Sequence, residues 1–435
     1  MTKNNAMPLS WISRDARLII AARGIRTFAQ SSVGVIMALY LNELGFSILQ
    51  IGVFLSVGVA GVAFFAFIVG LTAGRLGRRR LLVTFSLLSA AAAIGLFFAD
   101  EFVVLAGIAF AGALSTGGGG GGESPAQPLE IASLPDTAPV EKRTDLFAIY
   151  SIVARTGTAF GALAAGLPVL YQDAFGLSAL ASFKLMFIGF CGFQLIGAFL
   201  YSLISPAIEG EVSQQKWTNP LKLPSRRRIF TLTGLFGVDT FTTSMVMQSL
   251  VAYWFSNKFG LALESLATIF FVSHILTAIS IWLSAKLANR FGLLNTMVFT
   301  HIPSSLFLLA ATFAPAAWMA ILFWQVRAFL SQMDVPARDS YTMAVVGPEE
   351  RVAMASIQMV SKSSGGAFGP AATTALWSAA SATAPWVVSA ALKITYDLAL
   401  YFMFRNVKPP EEIERELQRE IERENRRAAR KQKVS

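Results

Sequence analysis

Long apolar segments recur along almost the whole chain, and mostly short polar connections separate them. A helix needs about 20 predominantly apolar residues to cross a lipid bilayer. The segments that meet this requirement lie at about 17–41, 47–73, 81–99, 102–122, 145–170, 180–204, 229–256, 262–286, 295–314, 316–335, 352–378 and 383–404. The pattern predicts an all-α membrane protein with twelve transmembrane helices.

Three regions outside these segments are longer than the rest, at 123–144, 205–228 and 405–435. The central one divides the predicted helices into two groups of six. We therefore expect an N-terminal six-helix half, a cytoplasmic linker, a C-terminal six-helix half and a charged cytoplasmic tail. Their predicted bounds are 1–204, 205–228, 229–404 and 405–435.

The composition supports a membrane protein, since 54% of residues are hydrophobic and 14% are charged. A soluble domain carries roughly a quarter charged residues. This shortfall excludes a disordered chain, a nucleic-acid-binding module and most soluble enzymes. One cysteine, Cys191, excludes an intrachain disulfide, and two histidines argue against a multi-histidine metal centre. No nucleophile–base pair or cofactor motif is found, so we expect no enzymatic activity and no cofactor.

The net charge of +10 is concentrated in alternate connections. If the N-terminus is cytoplasmic, the inner connections hold Arg75, Arg78, Arg79, Arg80, Lys142, Arg143, Lys216, Lys222, Arg226, Arg227, Arg228, Arg290, Arg338 and Arg351. The outer connections hold one basic residue, Lys258, and several acids. This positive-inside asymmetry predicts that both termini are cytoplasmic. We expect a multi-pass monomer of the plasma (inner) membrane, whose partners are a small-molecule substrate and the lipid bilayer rather than nucleic acid.

Short sequence words recur in order at a nearly constant offset, which indicates a tandem duplication. "GIRTF" at 24–28 matches "GVDTF" at 237–241, and "GRLG" at 74–77 matches "NRFG" at 289–292. "ESPAQ" at 123–127 resembles "DVPAR" at 334–338. The matches predict two pseudo-symmetric halves.

A run of six glycines, 117–122, lies where the repeat offset falls by five residues. Each glycine costs a helix about 1 kcal/mol relative to alanine. The run is therefore either a tolerated insertion at a cytoplasmic helix end or a pliable point where the fourth span bends.

"GLTAGRLGRRRLL" at 70–82 resembles the hallmark motif of the major facilitator superfamily. The matching residues are Gly70, Arg75, Gly77, Arg78 and Arg79, and the second copy keeps Arg290 and Gly292. The resemblance implies a twelve-helix transporter that works by alternating access, with these residues at a cytoplasmic gate.

Gly74 and Asn289 stand where the family motif has an aspartate. The charge latch formed by that acid in the family cannot be carried over. The remaining arginines either bind helix C-terminal carbonyls at the gate, which favour cations, or simply anchor the cytoplasmic side.

Small residues in the fifth and eleventh spans resemble a glycine motif of proton-linked exporters in this superfamily. The residues concerned are Gly157, Gly161, Gly166, Gly365 and Gly369. Small residues at this spacing also allow close helix packing in any membrane protein. The motif favours export over uptake without deciding between them.

Arg26 and Asp239 occupy equivalent positions of the two repeats, about 14–15 Å into their spans. Charges at such depth are costly and usually mark function or pairing. The resemblance implies that the first, fourth, seventh and tenth spans line a central cavity. Our hypothesis is that the two residues pair across it in one state and separate or exchange partners in another, with a proton on Asp239 releasing Arg26. The alternative is a static pair that fixes helix register.

Further candidates are polar or charged residues within the spans. For the coupling and substrate cavity they are Gln30, Arg23, Gln248, His274, Arg155 and Lys362. Glu123, Asp334 and Arg338 are candidate gate charges, with Glu123 the counterpart of Asp334. Lys393 and Asp397, four residues apart, are expected to pair within one helix.

The sequence therefore predicts a secondary active transporter, and we favour proton-coupled efflux of a small hydrophobic or amphipathic solute. One alternative is an uptake symporter or facilitator for a small metabolite. Another is a non-transporting membrane sensor built on the same fold.

Overall fold

The structure, a computed structural model, describes residues 11–114, 124–139, 142–209, 224–346, 350–407 and 413. Within these residues the secondary structure is helical. The N-terminal half contains α1 (Arg14–Glu43), α2 (Ile48–Leu76), α3 (Arg78–Phe98), α4 (Phe102–Ala111), α5 (Ala126–Ser133), α6 (Arg143–Ala164), α7 (Leu167–Phe175) and α8 (Ala179–Ser202). Short 3₁₀ helices follow α5 and α8, at Leu134–Thr137 and Pro206–Glu209.

The C-terminal half also combines long and short helices, but in a different order. It contains α9 (Arg226–Met245), α10 (Gln248–Phe259), α11 (Leu263–Phe291), α12 (Leu293–Phe313), α13 (Ala317–Leu330), α14 (Asp334–Ala344), α15 (Arg351–Ala379) and α16 (Ala384–Phe404).

Eight helical segments of the described residues are long and apolar enough to cross a membrane. They are Ile48–Val69, Arg78–Phe98, Asp145–Phe175, Ala179–Ser202, Arg226–Phe259, Leu263–Ala288, Leu293–Phe313 and Ala384–Phe404. The other four predicted spans coincide with α1, α4, α13 and α15, which are shorter or more polar. Each predicted span thus contains a helix, but the fifth and seventh are each broken into two helices, and residues 115–122 of the fourth lie outside the described residues. Length and apolarity alone single out eight of the twelve.

Local sequence signals explain where several helices begin. Ser13, Ser47 and Ser178 are the N-caps of α1, α2 and α8, and each side-chain hydroxyl accepts a backbone N–H of the first turn. Gln50 completes a capping box with Ser47.

The two copies of the motif glycine form the turns between α2 and α3 and between α11 and α12. Gly77 has φ of 85° and Gly292 has φ of 90°, a region that residues with a Cβ rarely adopt. We call the end of the bundle with these turns the motif end. The opposite end carries the turns at Gly45, Gly176 and Gly260.

Glycine pairs let two helices cross closely in each half. Gly157 and Gly161 of α6 face α1, and Gly365 and Gly369 of α15 face α9. A Cβ at any of the four would lie 2.2–2.5 Å from an atom of the facing helix. Gly166 differs, because a Cβ there would come no closer than 3.4 Å to another atom. It lies at the break between α6 and α7, where a Cβ would meet α11 at ordinary van der Waals distance, so this contact does not require a glycine.

The halves pack on each other at the opposite end of the bundle. One buried apolar cluster there contains residues of both halves, whereas the motif end has two separate clusters, formed within residues 12–208 and 229–404. Contacts between the halves are the Tyr253 hydroxyl to the Asn42 amide oxygen at 3.0 Å, the Ala371 N–H to Ser56 Oγ at 2.9 Å, and the Phe160 and Phe271 rings at 5.6 Å. The space between the halves therefore opens toward the motif end.

Candidate functional site

A buried carboxylate holds together the charged residues of the N-terminal half. Glu130, on the short helix α5, accepts a hydrogen bond from Arg26 Nη2 at 2.6 Å. Tyr150 donates to the same oxygen at 2.7 Å, and the Tyr201 hydroxyl donates to the other oxygen. Arg23 Nη1 lies 3.9 Å from the carboxylate. We call these five residues the N cluster.

The carboxylate of the N cluster is fully engaged. Glu130 has 0% of its surface exposed and receives hydrogen bonds on both oxygens. Each carboxylate oxygen therefore has a hydrogen-bond donor from another helix. Two arginines against one carboxylate leave an excess of one positive charge.

A larger network surrounds Asp239 in the C-terminal half. Asp239 Oδ2 accepts from Arg338 Nη1 at 2.5 Å, and Asp239 Oδ1 lies 3.1 Å from Lys393 Nζ. Arg338 also lies 3.2 Å from Asp334, one turn earlier on α14. The carboxylate on α9 is thereby tied to both α14 and α16.

The imidazole of His301, on α12, lies between two carboxylates. Its Nε2 is 3.1 Å from Asp334 Oδ1, and its Nδ1 is 3.2 Å from Asp397 Oδ1. All three side chains are buried. Together with Asp239, Arg338 and Lys393, these residues form what we call the C cluster.

The geometry of the C cluster requires one bound proton. A neutral imidazole has one N–H, so one ring nitrogen would face a carboxylate oxygen lone pair to lone pair. A proton removes this repulsion, and imidazole binds a proton more tightly than a carboxylate does. The charges give the same result, because three carboxylates face the two basic side chains of Arg338 and Lys393, and the proton makes the sum zero.

Arg26 and Asp239 do not pair with each other in this structure, and their pairing across the cavity in another state stays a prediction. Each is about 96–97% buried within its own half and bonds to a partner there. The physical reason is proximity, because α5 and α14 place Glu130 and Arg338 against the first and seventh spans. The static pairs of each half thus lie within a repeat rather than between repeats.

Lys393 and Asp397 do not form the predicted pair within α16. Lys393 Nζ contacts Asp239 and donates to Thr243 Oγ1 at 2.8 Å, whereas Asp397 contacts His301. The prediction was wrong because each side chain meets a partner on a neighbouring helix, Asp239 on α9 and His301 on α12.

A third group of polar residues lies nearer the contact between the halves. His274 Nε2, on α11, is 3.2 Å from Gln248 Oε1 at the start of α10. The Arg155 guanidinium, on α6, is close enough to act electrostatically on His274 and on Arg23. Gln30 of α1 lines a small cavity whose other walls are hydrophobic. The structure thus brings Arg155, Gln248 and His274 together and places Gln30 beside an apolar space.

The motif arginines bind carbonyl groups at helix ends. Arg78 donates to the carbonyls of Ala132 and Ile208 at 3.1 Å, and Arg79 donates to that of Ser202 at 2.5 Å. These contacts match the carbonyl alternative considered above, but they all lie within the N-terminal half. They fix the ends of α5 and α8 and do not join the two halves.

The remaining predicted gate and cavity residues belong to neither cluster, although Lys362 is close enough to Arg338 and Asp239 to act on them electrostatically. Arg75 and Arg290 are exposed, with Arg290 stacked on Phe291 at 5.4 Å. Lys362 is 4.0 Å from Asp339 at the motif end. Gly70 lies in α2. Glu123, the glycine run 117–122 and almost all of the predicted tail lie outside the described residues.

Four residues of these clusters were not recognised in the sequence as candidates. They are Glu130, Tyr150, Tyr201 and His301. The repeat counterpart of Arg338 is Gln127, and Glu130 lies three residues after it. The N-terminal half thus has its counter-ion one helical turn from the equivalent position, and with the opposite charge. An acid in the otherwise uncharged word "AQPLEIAS" was the available signal.

Comparisons with known proteins agree with this architecture. The sequence matches the Major Facilitator Superfamily over residues 19–330 and 236–434. An uncharacterised membrane protein of Saccharomyces cerevisiae is 25% identical over 430 residues, covering 91% of this chain and 95% of that protein.

Solved transporter structures share the fold at low sequence identity. A bacterial homologue of the human lysosomal transporter Spinster, in an inward-facing and occupied conformation, is 16% identical with a TM-score of 0.71, covering 90% of this chain and 96% of that one. A nucleoside transporter is 14% identical (TM-score 0.70; 89% and 98%), and a D-xylose–proton symporter is 13% identical (TM-score 0.69; 89% and 97%). The chain therefore belongs to the Major Facilitator Superfamily and is an integral multi-pass membrane protein with a transporter fold.

Proposed function

We propose that this chain is a proton-coupled exporter of a small amphipathic solute, located in the plasma membrane with its motif end in the cytoplasm. The observation that carries the proposal is His301 held between Asp334 and Asp397. A proton bound there is the natural coupling ion, and a transmembrane proton gradient is the energy source.

Loss of this proton would force the C cluster to rearrange. The cluster would then hold three carboxylates against two cations, an uncompensated buried charge. The groups that face His301 or lie next to those that do are Asp334, Arg338, Asp397, Lys393, Tyr396 and Asp239. They belong to α9, α14 and α16, so proton release would act on three helices at once. We assign the C cluster as the element whose charge selects between two arrangements of the C-terminal half.

The conformation supports alternating access. The halves are joined at the opposite end and apart at the motif end, where the basic connections are concentrated. With the motif end in the cytoplasm, as the positive-inside rule favours, the molecule is open inward. A rocking motion that separates Tyr253 from Asn42 and brings the two apolar clusters of the motif end together would open the molecule outward.

A small cavity within the N-terminal half combines polar and apolar chemistry beside Gln30, the combination that an amphipathic solute needs. Its walls combine one amide with hydrophobic side chains of α1, α3 and α8, including Met37 and Phe187. Export is favoured by the glycine pattern of α6 and α15. Uptake by symport is the second candidate, since one protein of similar fold is a D-xylose–proton symporter.

Reconstituted vesicles of known protein orientation test this proposal. A trapped pH-sensitive dye reports proton flux while amphipathic solutes are supplied on either side. Solute should drive proton movement in the opposite direction through the wild-type protein, and His301→Gln should abolish that flux while keeping solute exchange. Proton flux of normal size in His301→Gln would refute the coupling site, and movement of both in one direction would favour symport.

A further inference from the structure

We infer that the transported solute carries a negative charge, and that Arg155, Gln248 and His274 bind it between the two halves. The inference rests on the proposed function, because it assigns the charged group of the amphipathic solute. The ligand is an organic anion whose charged group is a carboxylate or a phosphate.

The three residues lie on the open side of the contact between the halves. Phe160 of α6 meets Phe271 of α11 at 5.6 Å. Arg155 is five residues closer to the motif end on α6, and His274 is three residues closer on α11. Both therefore lie about one turn toward the motif end from this aromatic contact. A solute that entered from the open end would reach them before the closed region.

Hydrogen-bond donors dominate the chemistry of this site. Arg155 Nη1 and Gln248 Nε2 are buried and have no hydrogen-bond partner among the described residues. The amide oxygen of Gln248 faces His274 Nε2, which directs the amide NH₂ away from the ring. Leaving a buried donor unpaired costs about 1–3 kcal/mol, so two at one place indicate a missing acceptor. A carboxylate or phosphate supplies several acceptor oxygens.

The electrostatic surroundings also favour an anion. In the part of the chain that the structure describes, the salt bridges of Glu130 and Asp239 are made with other cations and none involves Arg155. The guanidinium of Arg23 lies within electrostatic range of Arg155. An unpaired arginine among other cations is stabilised by an anionic ligand. A second explanation is that Arg155 simply extends its guanidinium toward water at the motif end.

A matched series of probes separates these explanations. The probes are 4-phenylbutyrate, 4-phenylbutyl phosphate, 4-phenylbutanol and 4-phenylbutylamine, which share one apolar part and differ in the head group. Binding is measured at fixed pH, without a gradient, from the concentration-dependent rise in melting temperature of the full-length purified protein. The two anions should bind at least tenfold more tightly than the alcohol and the amine. Their relative affinity tells whether a carboxylate or a phosphate is preferred.

Substitutions then assign the site. Arg155→Gln should weaken binding of both anions at least tenfold and leave the alcohol unaffected, and Arg155→Lys should keep part of the preference. Lys142→Gln removes an exposed cation just before the same helix and should change nothing. If the anions bind no better than the alcohol, or bind equally well to Arg155→Gln, the inference is wrong.

The binding assay tests the anion site separately from the proton-coupling proposal. His301→Gln should still bind the anions, because His301 belongs to the C cluster and not to this site. Anion binding without any solute-driven proton flux would refute the coupling proposal alone. Proton flux driven by the amine but not by the anions would refute the anion site alone.

Discussion

The two halves place opposite charges at the same position of the repeat and surround them with different partners. Arg26 and Asp239 each meet a counter-ion on a short helix at the motif end, Glu130 on α5 and Arg338 on α14. In the N-terminal half two tyrosines complete the site, and the carboxylate is saturated. In the C-terminal half His301, Lys393 and Asp397 are added.

The difference between the clusters shows what duplication preserves. It preserves the position of a buried charge and the helix that carries the counter-ion. The signs of the two charges can exchange, because an ion pair is stable whichever helix carries the cation. The additional groups of the C cluster make its charge depend on one proton. The N cluster, with no such group, is a structural counterpart that holds α1, α5, α6 and α8 together.

The largest expected effect comes from neutralising the acid of the N cluster. Glu130→Gln leaves the buried guanidinium of Arg26 without its anion, which should lower the free energy of unfolding by about 3–5 kcal/mol. Thermal denaturation of the purified protein measures this. Glu43→Gln, an exposed acid at the end of α1, is the control and should have no measurable effect. Equal melting temperatures for the two variants would show that Glu130 is not the anchor of the N cluster.

The crossing glycines should respond alike in the two halves. Gly161→Ala and Gly365→Ala each place a Cβ within 2.5 Å of a backbone carbonyl, so each should cost about 1–3 kcal/mol by overpacking. Gly234→Ala and Gly189→Ala have open space and should be neutral or slightly stabilising in the same denaturation assay. A loss of stability in only one of the two variants would show that the two helix crossings are not equivalent.

Neutralising Asp239, one of the three acids of the C cluster, should change function more than stability. Asp239→Asn leaves two carboxylates and the two basic side chains, so release of the proton from His301 no longer leaves an uncompensated charge. We expect a loss of about 1–2 kcal/mol from weakened charged hydrogen bonds, less than for Glu130→Gln, and no proton flux in reconstituted vesicles. Solute-driven proton flux at the wild-type rate in this variant would contradict the charge balance that distinguishes the two clusters.

The two motif copies should differ slightly. Arg78→Ala removes hydrogen bonds to two carbonyls at a partly exposed site and should cost about 1 kcal/mol. Arg290→Ala removes an exposed side chain and should stay within about 0.5 kcal/mol of wild type. Denaturation curves of both variants, measured together, decide this; equal losses would mean that the copies do equivalent structural work.

Periodic features of the sequence predicted the fold, and the partners of buried charges escaped prediction. Apolar length located the helices, and the repeat offset located Arg26 and Asp239. The offset did not reveal Glu130, because Glu130 aligns with Tyr341 and lies one helical turn after the residue that aligns with Arg338. Nor did it reveal His301 between Asp334 and Asp397, which lie 33 and 96 residues away in the chain. Ion-pair partners depend on which helices pack together, and no local pattern encodes that.

The protonation state of His301 tests the central claim most directly. The chain has two histidines, so ¹⁵N-histidine labelling of the protein in lipid vesicles gives two sets of ring signals, and His301→Gln assigns them. The charge balance of the C cluster predicts that both ring nitrogens of His301 carry a proton at pH 7. A neutral His301 ring, with one unprotonated nitrogen, would contradict the account.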